Sequence, residues 1–416
     1  MRLDGSIPWP EIGDSGPRAA PGATESAPAM RRHDAPTHAW VFHSHRPVHK
    51  GENDMKKRVL QFAIAASLLA LAACGGGSGS TAEVGGGGAQ VTNGTGSQQG
   101  DDLVTTVAPA NYSGPYASEK LAVFNLLNAY RSRCGFGKVA QNALIDQAAQ
   151  NHAAYLHQDP YAGHRETPGV PGFTGVTVWD RLTAAGYSWS QGTEILGTLV
   201  WGAGTVGNTT FSLVSATELA ATAHLRALLA APYHLAGGMS LNREVGIGIS
   251  NQATSLNTSV KYLNVNFGTP KGEQMQQLGR TTIATFPCQG VSGVEPVFAG
   301  EEPDPFPDVN RDLTPYGQPV YVMTSVGSTV TVNLQTSSIV ARGGAPVNTR
   351  LLTRTTDPHG IVETNEVFLV PTERLADNRT YDVILNGTLS ALVSGNNPTG
   401  AWSRAFSFTT GVFKGE

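Results

Sequence analysis

Apolar residues first recur at helical spacing between residues 118 and 135. Five of them share one helix face, at positions i, i+3, i+4, i+7 and i+11: Val123, Leu126, Leu127, Tyr130 and Cys134. Ser118 is suited to cap the start of this helix, and Gly135 is suited to end it. The pattern therefore predicts an amphipathic helix with one buried face.

Further helices and strands follow this first helix. An apolar stripe at helical spacing runs from about Asn142 to Asp159, where the next residue, a proline, disfavours helix. A third helix is predicted over residues 216–230, and the runs Val245–Ile249 and Tyr262–Phe267 are typical of strands. Helices followed by strands indicate an α+β layered domain, to which we assign residues 116–288.

After Cys288 the pattern changes to short apolar runs separated by turn residues. Six runs are typical of strands: Val320–Met323, Ser328–Leu334, Arg350–Arg354, Glu366–Val370, Tyr381–Leu385 and Arg404–Thr409. Their spacing predicts a linker and an all-β sandwich over residues 289–416. Leu375–Tyr381 and Phe406–Gly411 resemble bacterial immunoglobulin-like modules, so we expect an immunoglobulin-like sandwich.

A short apolar run precedes all of these elements. Val59–Ala73 contains 15 residues, too few to span a membrane core of roughly 30 Å but typical of a secretory signal. We assign residues 55–73 to this signal and residues 1–54 to an over-extended translation start. The run ends in Leu71-Ala72-Ala73-Cys74, which resembles a bacterial lipobox. An ordinary signal peptide with a chance cysteine is the alternative interpretation.

The lipobox resemblance implies that Cys74 is lipidated and attaches the exported protein to a membrane. Gly75 is not the aspartate that commonly retains lipoproteins at the inner membrane, so the resemblance implies the outer membrane. Residues 74–115 are rich in Gly, Ser and Thr and bury too little apolar surface to offset their ordering entropy. We expect them to form a flexible tether.

The net charge argues against one class of ligand, and the cysteine count predicts one disulfide. The 416 residues carry a net charge of −4, and the part after Cys74 has no basic block, so nucleic-acid binding has no electrostatic support. The chain has three cysteines, of which Cys134 and Cys288 remain if Cys74 carries lipid. In an oxidising compartment the simplest expectation for this pair is one disulfide.

Several stretches of the first domain resemble, in order and spacing, the CAP superfamily of cysteine-rich secretory, antigen 5 and pathogenesis-related-1 proteins. They are Leu127–Arg131, Gln147–Ala153, Gly163–Glu166, Gly192–Ile195, Ala231–His234 and Val245–Gly248. The resemblance covers residues 116 to 268. It implies a CAP-type α-β-α layered domain, followed here by the immunoglobulin-like sandwich.

The resemblance also implies that His164, Glu194 and His234 face one another across an open cleft. Two imidazoles and a carboxylate are ligand types that suit Zn²⁺ and related divalent ions. Without an ion, His–Glu hydrogen bonds would hold the cluster together. Alternatively, each of the three is an independently hydrogen-bonded loop residue.

The fourth position of this cleft is open at the level of sequence. Glu218 lies on an otherwise apolar helix face, where an acid needs a partner, although a chance exposed glutamate fits equally. Glu166, two residues from His164, is the other candidate. The strand Tyr262–Phe267 lacks the histidine that animal members carry there, so His234 would have to replace it. We interpret His152, on the stripe of the second helix, as a hydrogen-bonded core residue.

A nucleophile–histidine–acid triad is not recognisable beside these residues. The leading hypothesis is therefore a non-catalytic surface lipoprotein whose cleft binds a small apolar or lipid-like ligand or a divalent ion. The alternative is a metal-dependent hydrolase of cell-envelope material, although the sequence lacks a His-Glu-x-x-His helix. A structural or adhesion protein is the third possibility.

Overall fold

The structure is a computed structural model that describes residues 101–206, 209–212, 218–253, 258–298, 300–310, 314–391 and 399–412. The predicted translation start, signal, Cys74 and most of the tether lie outside these residues. Across the described ranges, no helix combines the length and the apolar character needed to cross a membrane.

The five described helices differ in how their ends are capped. They are α1 (Ala117–Cys134), α2 (Ala143–Tyr155), α3 (Val178–Ala184), α4 (Glu218–Leu228) and α5 (Pro232–Gly238). Ser118, the predicted cap of the first helix, lies inside it, and the residue at the cap position, Tyr116, provides no side-chain hydrogen bond. Gly135 ends α1 in the left-handed conformation, at a φ of 82°, as its position predicts. Asn142 caps α2, because its side chain accepts the N–H of Leu144 at 2.9 Å.

One sheet joins the elements of the first half of the described chain. Its strands are β1 (Ala140–Gln141), β2 (Trp189–Val206), β3 (Thr209–Ser212), β4 (Glu244–Ala253) and β5 (Thr258–Pro270). Their order is β1-β4-β5-β2-β3, with β1 parallel to β4 and the other pairs antiparallel. The two predicted strands are the centres of β4 and β5. The glycine-rich β2 was missed because its polar and apolar residues do not alternate regularly.

Helices pack on both faces of this sheet. A Cβ added at Gly246 would lie 2.1 Å from the backbone nitrogen of Asp146, and one at Gly248 would lie 2.2 Å from the backbone of Ala149. Helix α2 therefore rests directly on β4, and only glycine permits this approach. The opposite face carries Ile195, Val265 and neighbouring apolar residues, and α5 meets Ile195 there through Gly237.

Two further sheets form the second half. Their strands are β6 (Ala284–Phe286), β7 (Ser292–Val294), β8 (Val320–Met323), β9 (Thr329–Val330), β10 (Ser338–Ala341), β11 (Thr349–Thr353), β12 (Glu366–Pro371), β13 (Thr380–Ser390) and β14 (Thr399–Thr410). The sheet orders are β10-β13-β14-β7, with β9 also paired to β13, and β11-β12-β8-β6. The predicted run Ser328–Leu334 forms only the short strand β9, and the other five predicted runs coincide with strands.

The hydrophobic core does not stop at the predicted domain boundary. One cluster of buried residues includes Val123 of α1, Ile247 of β4 and Phe368 of β12. Strand β6 precedes Cys288 and pairs with β8, which follows it. The described helices and sheets confirm the α+β class. The immunoglobulin-like assignment of the second half remains a prediction.

Contacts with the folded region begin before Ser118. Asp102 pairs with Gln277, and the backbone N–H of Val104 donates to the side chain of Gln276 at 2.7 Å. Leu103 and Val107 pack against the hydrophobic core. The last part of the predicted tether thus lies along the fold because it carries a few apolar residues and pairs its backbone.

The disulfide between Cys134 and Cys288 is confirmed, with a Cα–Cα distance of 5.4 Å and a sequence separation of 154. It joins the end of α1 to the segment that follows β6. Closing a loop of this length removes chain entropy from the unfolded state, worth roughly 4–5 kcal/mol in the chain-entropy model.

Reduction of this disulfide should lower the free energy of unfolding by about 2–5 kcal/mol, measured by urea unfolding with and without reductant. A variant with both cysteines replaced by serine is the control, and reductant should leave its stability unchanged. Equal unfolding curves for the oxidised and reduced wild type would contradict the prediction.

Candidate functional site

The site is built around the buried carboxylate of Glu194 on β2, a residue that is only 4% exposed. Nη2 of Arg181 donates to both of its oxygens, at 2.8 Å to Oε1 and 2.7 Å to Oε2. Nδ2 of Asn264 on β5 donates to Oε2 at 3.0 Å. Burial alone would raise the pKa of Glu194, but Arg181 and two nearby histidines bring it far below its ordinary value. The carboxylate is therefore ionised.

Arg181 is held in place by the helix on which it lies. Thr177 and Asp180 form a capping box that fixes the start of α3, and Arg181 follows in the first turn. Its Nη1 also donates to the backbone oxygen of His164 at 3.1 Å. One guanidinium thus ties the loop that carries His164 to the strand that carries Glu194.

His164 contacts the same carboxylate with its Nδ1, 2.9 Å from Oε1 of Glu194. Burial lowers the pKa of His164, and the neighbouring His234 and His152 lower it further, against the opposite effect of Glu194. The ring is therefore neutral near pH 7. Because the ionised carboxylate only accepts, Nδ1 carries the proton and Nε2 carries the lone pair.

His234 lies on the short helix α5 and brings a second imidazole to the site. Its ring centroid is 5.8 Å from that of His164. The two side chains are 12% and 17% exposed, whereas that of Glu194 is 3% exposed. The structure thus brings His164, Glu194 and His234 together, with the histidines at the accessible side.

Glu166 lies behind this group and does not line its accessible side. It is 2% exposed and accepts the backbone N–H groups of Thr174 and Gly175. His152, fully buried on α2, places Nδ1 3.0 Å from Glu166 and Nε2 3.0 Å from the backbone oxygen of Gly163. Both ring nitrogens of His152 therefore lie within hydrogen-bond distance of an oxygen.

His152 also connects this second pair to the first, since its Nε2 is 3.8 Å from Oε1 of Glu194. The interpretation of His152 as a buried, hydrogen-bonded residue agrees with this geometry. Glu218 is the first residue of α4, but its side chain lies outside the described residues.

Sequence reasoning missed Arg181, Asn264 and the contact of His234 with Glu301 described below. Two signals were available. Thr177 and Asp180 have capping-box spacing immediately before Arg181, and Asn264 and Asn266 interrupt an otherwise apolar strand on one face. A buried amide in a strand needs a polar partner, which here is Glu194.

The donor set does not fit a zinc ion. Within the ranges that the structure describes, no group of three or more His, Cys, Asp or Glu side chains is arranged to hold a metal. Both oxygens of Glu194 accept from Arg181, whose guanidinium supplies the positive charge that a metal ion would supply. The expectation of Zn²⁺ at His164, Glu194 and His234 therefore finds no support in the charge arrangement.

The comparisons with known proteins are limited to distant structures. No family model and no curated protein matches this chain. An extracellular protein containing an SCP domain from Bacillus anthracis strain Ames is 17% identical, with a TM-score of 0.27. The match covers 38% of this chain and 45% of that one, so less than half of the Bacillus protein is represented.

An outer surface protein from Borrelia burgdorferi is 15% identical, with a TM-score of 0.28, over 39% of this chain and 100% of that one. Likenesses at these TM-scores carry no argument about fold or function. The interpretation of the site therefore rests on its own residues.

Replacing Glu194 by glutamine would leave the buried guanidinium of Arg181 beside a neutral amide. We expect E194Q to lower the free energy of unfolding at pH 7 by about 3–5 kcal/mol. The folded-state pKa of Glu194 is lowered. The stability that this shift provides is therefore complete above the unfolded pKa of about 4.3 and is lost as the pH falls below it.

Urea unfolding at several pH values measures this, and the difference between wild type and E194Q should shrink below about pH 4. The control is E273Q, because the side chain of Glu273 is 57% exposed; we expect a change below about 0.5 kcal/mol. A difference for E194Q that is small at pH 7, or constant with pH, would show that the ion pair is not the stabilising element.

Titration with Zn²⁺ should give the same heats for the wild type and for His164→Ala, because Arg181 already neutralises Glu194. Isothermal titration calorimetry at pH 7 measures this. A stoichiometric binding heat in the wild type that disappears in His164→Ala would contradict this prediction.

Proposed function

We propose that this chain is an exported lipoprotein with a CAP-type domain that binds a small apolar molecule through the polar head of that molecule. The export and lipid-anchoring part is supported by the lipobox-like sequence ending at Cys74, and Gly75 after it favours the outer membrane. The partner implied by this part is the membrane itself.

The CAP assignment is supported by where the motif residues meet. His164, Glu194 and His234 come from a loop, a strand and a helix, and they are separated by 30 and 40 residues in the sequence. The contacts from His164 to Glu194 and to the ring of His234 bring these motifs to one place. Independent loop residues would have no reason to converge in this way.

The observation that carries the binding function is the fixed orientation of His164. Glu194 fixes the ring of His164 through Nδ1, and this partly exposed ring lies beside the second, partly exposed imidazole of His234. Two imidazoles at the accessible side of a site are polar groups that can hydrogen-bond a hydroxyl or carboxyl head. These contacts favour a ligand with such a polar head, and the apolar remainder of the ligand is what the CAP resemblance implies.

An open, mostly apolar groove lies along α1, apart from the histidine cleft, and is a second candidate site for an apolar ligand. It has a volume of about 660 Å³ and is lined by residues that include Val107, Pro109, Leu121 and Phe124. Pockets that bind small molecules are mostly apolar with few polar groups. Arg133 and Lys138 also line the groove, so it would favour an anionic head.

The same contacts support the two alternatives, an enzyme and a structural protein, less well. A metal-dependent hydrolase needs an ion that the donor set around Glu194 does not favour. A structural or adhesion protein would not require the partly exposed pair of histidines above a buried ion pair. We therefore place binding before catalysis and before a purely structural role.

Oleyl alcohol is a suitable probe, since it combines a hydroxyl head with an apolar chain. We expect His164→Ala to weaken its binding about 3- to 10-fold, which corresponds to one hydrogen bond of about 0.5–1.5 kcal/mol. Equilibrium dialysis with labelled alcohol measures this. The control is His157→Ala, because His157 bonds to Ser250 outside the site.

Leu121→Glu distinguishes the cleft from the groove. Leu121 is 37% exposed, so the change should leave the fold intact. Loss of binding in Leu121→Glu but not in His164→Ala would move the ligand to the groove. If neither the wild type nor the variants bind the alcohol measurably, the proposed ligand class is wrong. Release of a hydrolysis product from generic esters, abolished in His164→Ala, would favour an enzyme instead.

A further inference from the structure

The second half of the chain reaches into the candidate site through Glu301. Its carboxylate accepts the backbone N–H of Tyr233 at 2.9 Å and that of His234 at 3.1 Å. These are the second and third residues of α5, whose N-cap residue, Ala231, provides no side-chain acceptor. Glu301 therefore caps α5, although it lies 67 residues after His234 in the sequence.

The same carboxylate also lies against the imidazole of His234. Oε2 of Glu301 is 3.0 Å from Nδ1 of His234, a close electrostatic contact that lacks the alignment of a hydrogen bond. The side chain of Glu301 is 1% exposed. A buried carboxylate needs polar partners, and here the N–H groups at the start of α5 and the ring of His234 supply them.

Other residues of the second half hold the surroundings of α5. The hydroxyl of Tyr233 donates to Asp357, whose other oxygen accepts the N–H of Val362 at 2.8 Å. Nε2 of Gln318 donates to the backbone oxygen of Leu229, in the connection between α4 and α5, at 2.9 Å. Hydrogen bonds from the second half thus hold the helix that carries His234 at its start and in the segment before it.

We propose that Glu301 is a positioning residue for His234 and that the second half of the chain completes the cleft. The α5 helix has seven residues, too few to hold its shape without tertiary contacts. Glu301 sets both the direction of this helix and the electrostatic environment of the His234 ring. The second half is then a component of the site in addition to any role as a spacer.

Glu301→Gln tests this, because glutamine keeps the size and one acceptor oxygen but removes the charge. Imidazole ¹⁵N NMR of the histidine-labelled protein reports the state of the His234 ring without any ligand, with its signals assigned by their loss in His234→Gln. We expect the ¹⁵N signals of His234 to shift in Glu301→Gln. Those of His157, which lies outside the site, should not move.

Glu302→Gln is the matched control, since Glu302 is the adjacent, exposed acid, and it should leave all histidine signals unchanged. Glu301→Asp should restore the wild-type pattern at least in part, because it returns the charge. Unchanged His234 signals in Glu301→Gln, in a protein that still unfolds cooperatively, would overturn the proposal. The same shift in Glu302→Gln would overturn it as well.

The affinity for oleyl alcohol gives a second readout, which rests on the proposed function. We expect Glu301→Gln to weaken binding about 3- to 10-fold while Glu302→Gln does not. If the wild type does not bind the alcohol, the proposed ligand class fails, but the NMR result still decides whether Glu301 positions His234.

Discussion

The buried charge of Glu194 is the constraint on which the rest of the site depends. Removing an isolated carboxylate from water costs far more than the 5–15 kcal/mol that typically separates folded from unfolded protein. Glu194 is tolerated because Arg181 contacts both of its oxygens and Asn264 donates to one of them. A buried pair of this kind adds little stability over an apolar pair, so its value lies in fixing one arrangement.

That arrangement extends to a second buried pair. His152 faces Glu166 at 3.0 Å and Glu194 at 3.8 Å, so two carboxylates lie among two groups that can carry positive charge. Gly246 and Gly248 allow α2 to press against the sheet, which brings His152 within reach of Glu194. Burial lowers the pKa of His164 despite its contact with Glu194, whose charge Arg181 already balances.

The sequence predicted what depends on local pattern and on pairing by elimination. The apolar stripe of α1, the glycine that ends it and the centres of β4 and β5 are local features, and the disulfide joins the two cysteines that remained. The features that the sequence analysis did not predict depend on partners that are distant in the sequence. Strand β2 has no local signature, because its glycines obscure its alternation. Arg181 follows a recognisable capping box, but its partner Glu194 is 13 residues away on another element.

Glu301 shows why division of the chain into modules hides part of the site. A composition change after Cys288 precedes most of the later strands, yet β6 lies before it and buried residues from both halves share one hydrophobic cluster. Phe136 stacks on Tyr321 with their ring centroids 5.9 Å apart, and β6 pairs across the same boundary. A seven-residue helix gains its cap only when the distant acid is already in place. The position of His234 is therefore set by folding of both halves together, because neither half alone contains the helix and the acceptor for its first N–H groups.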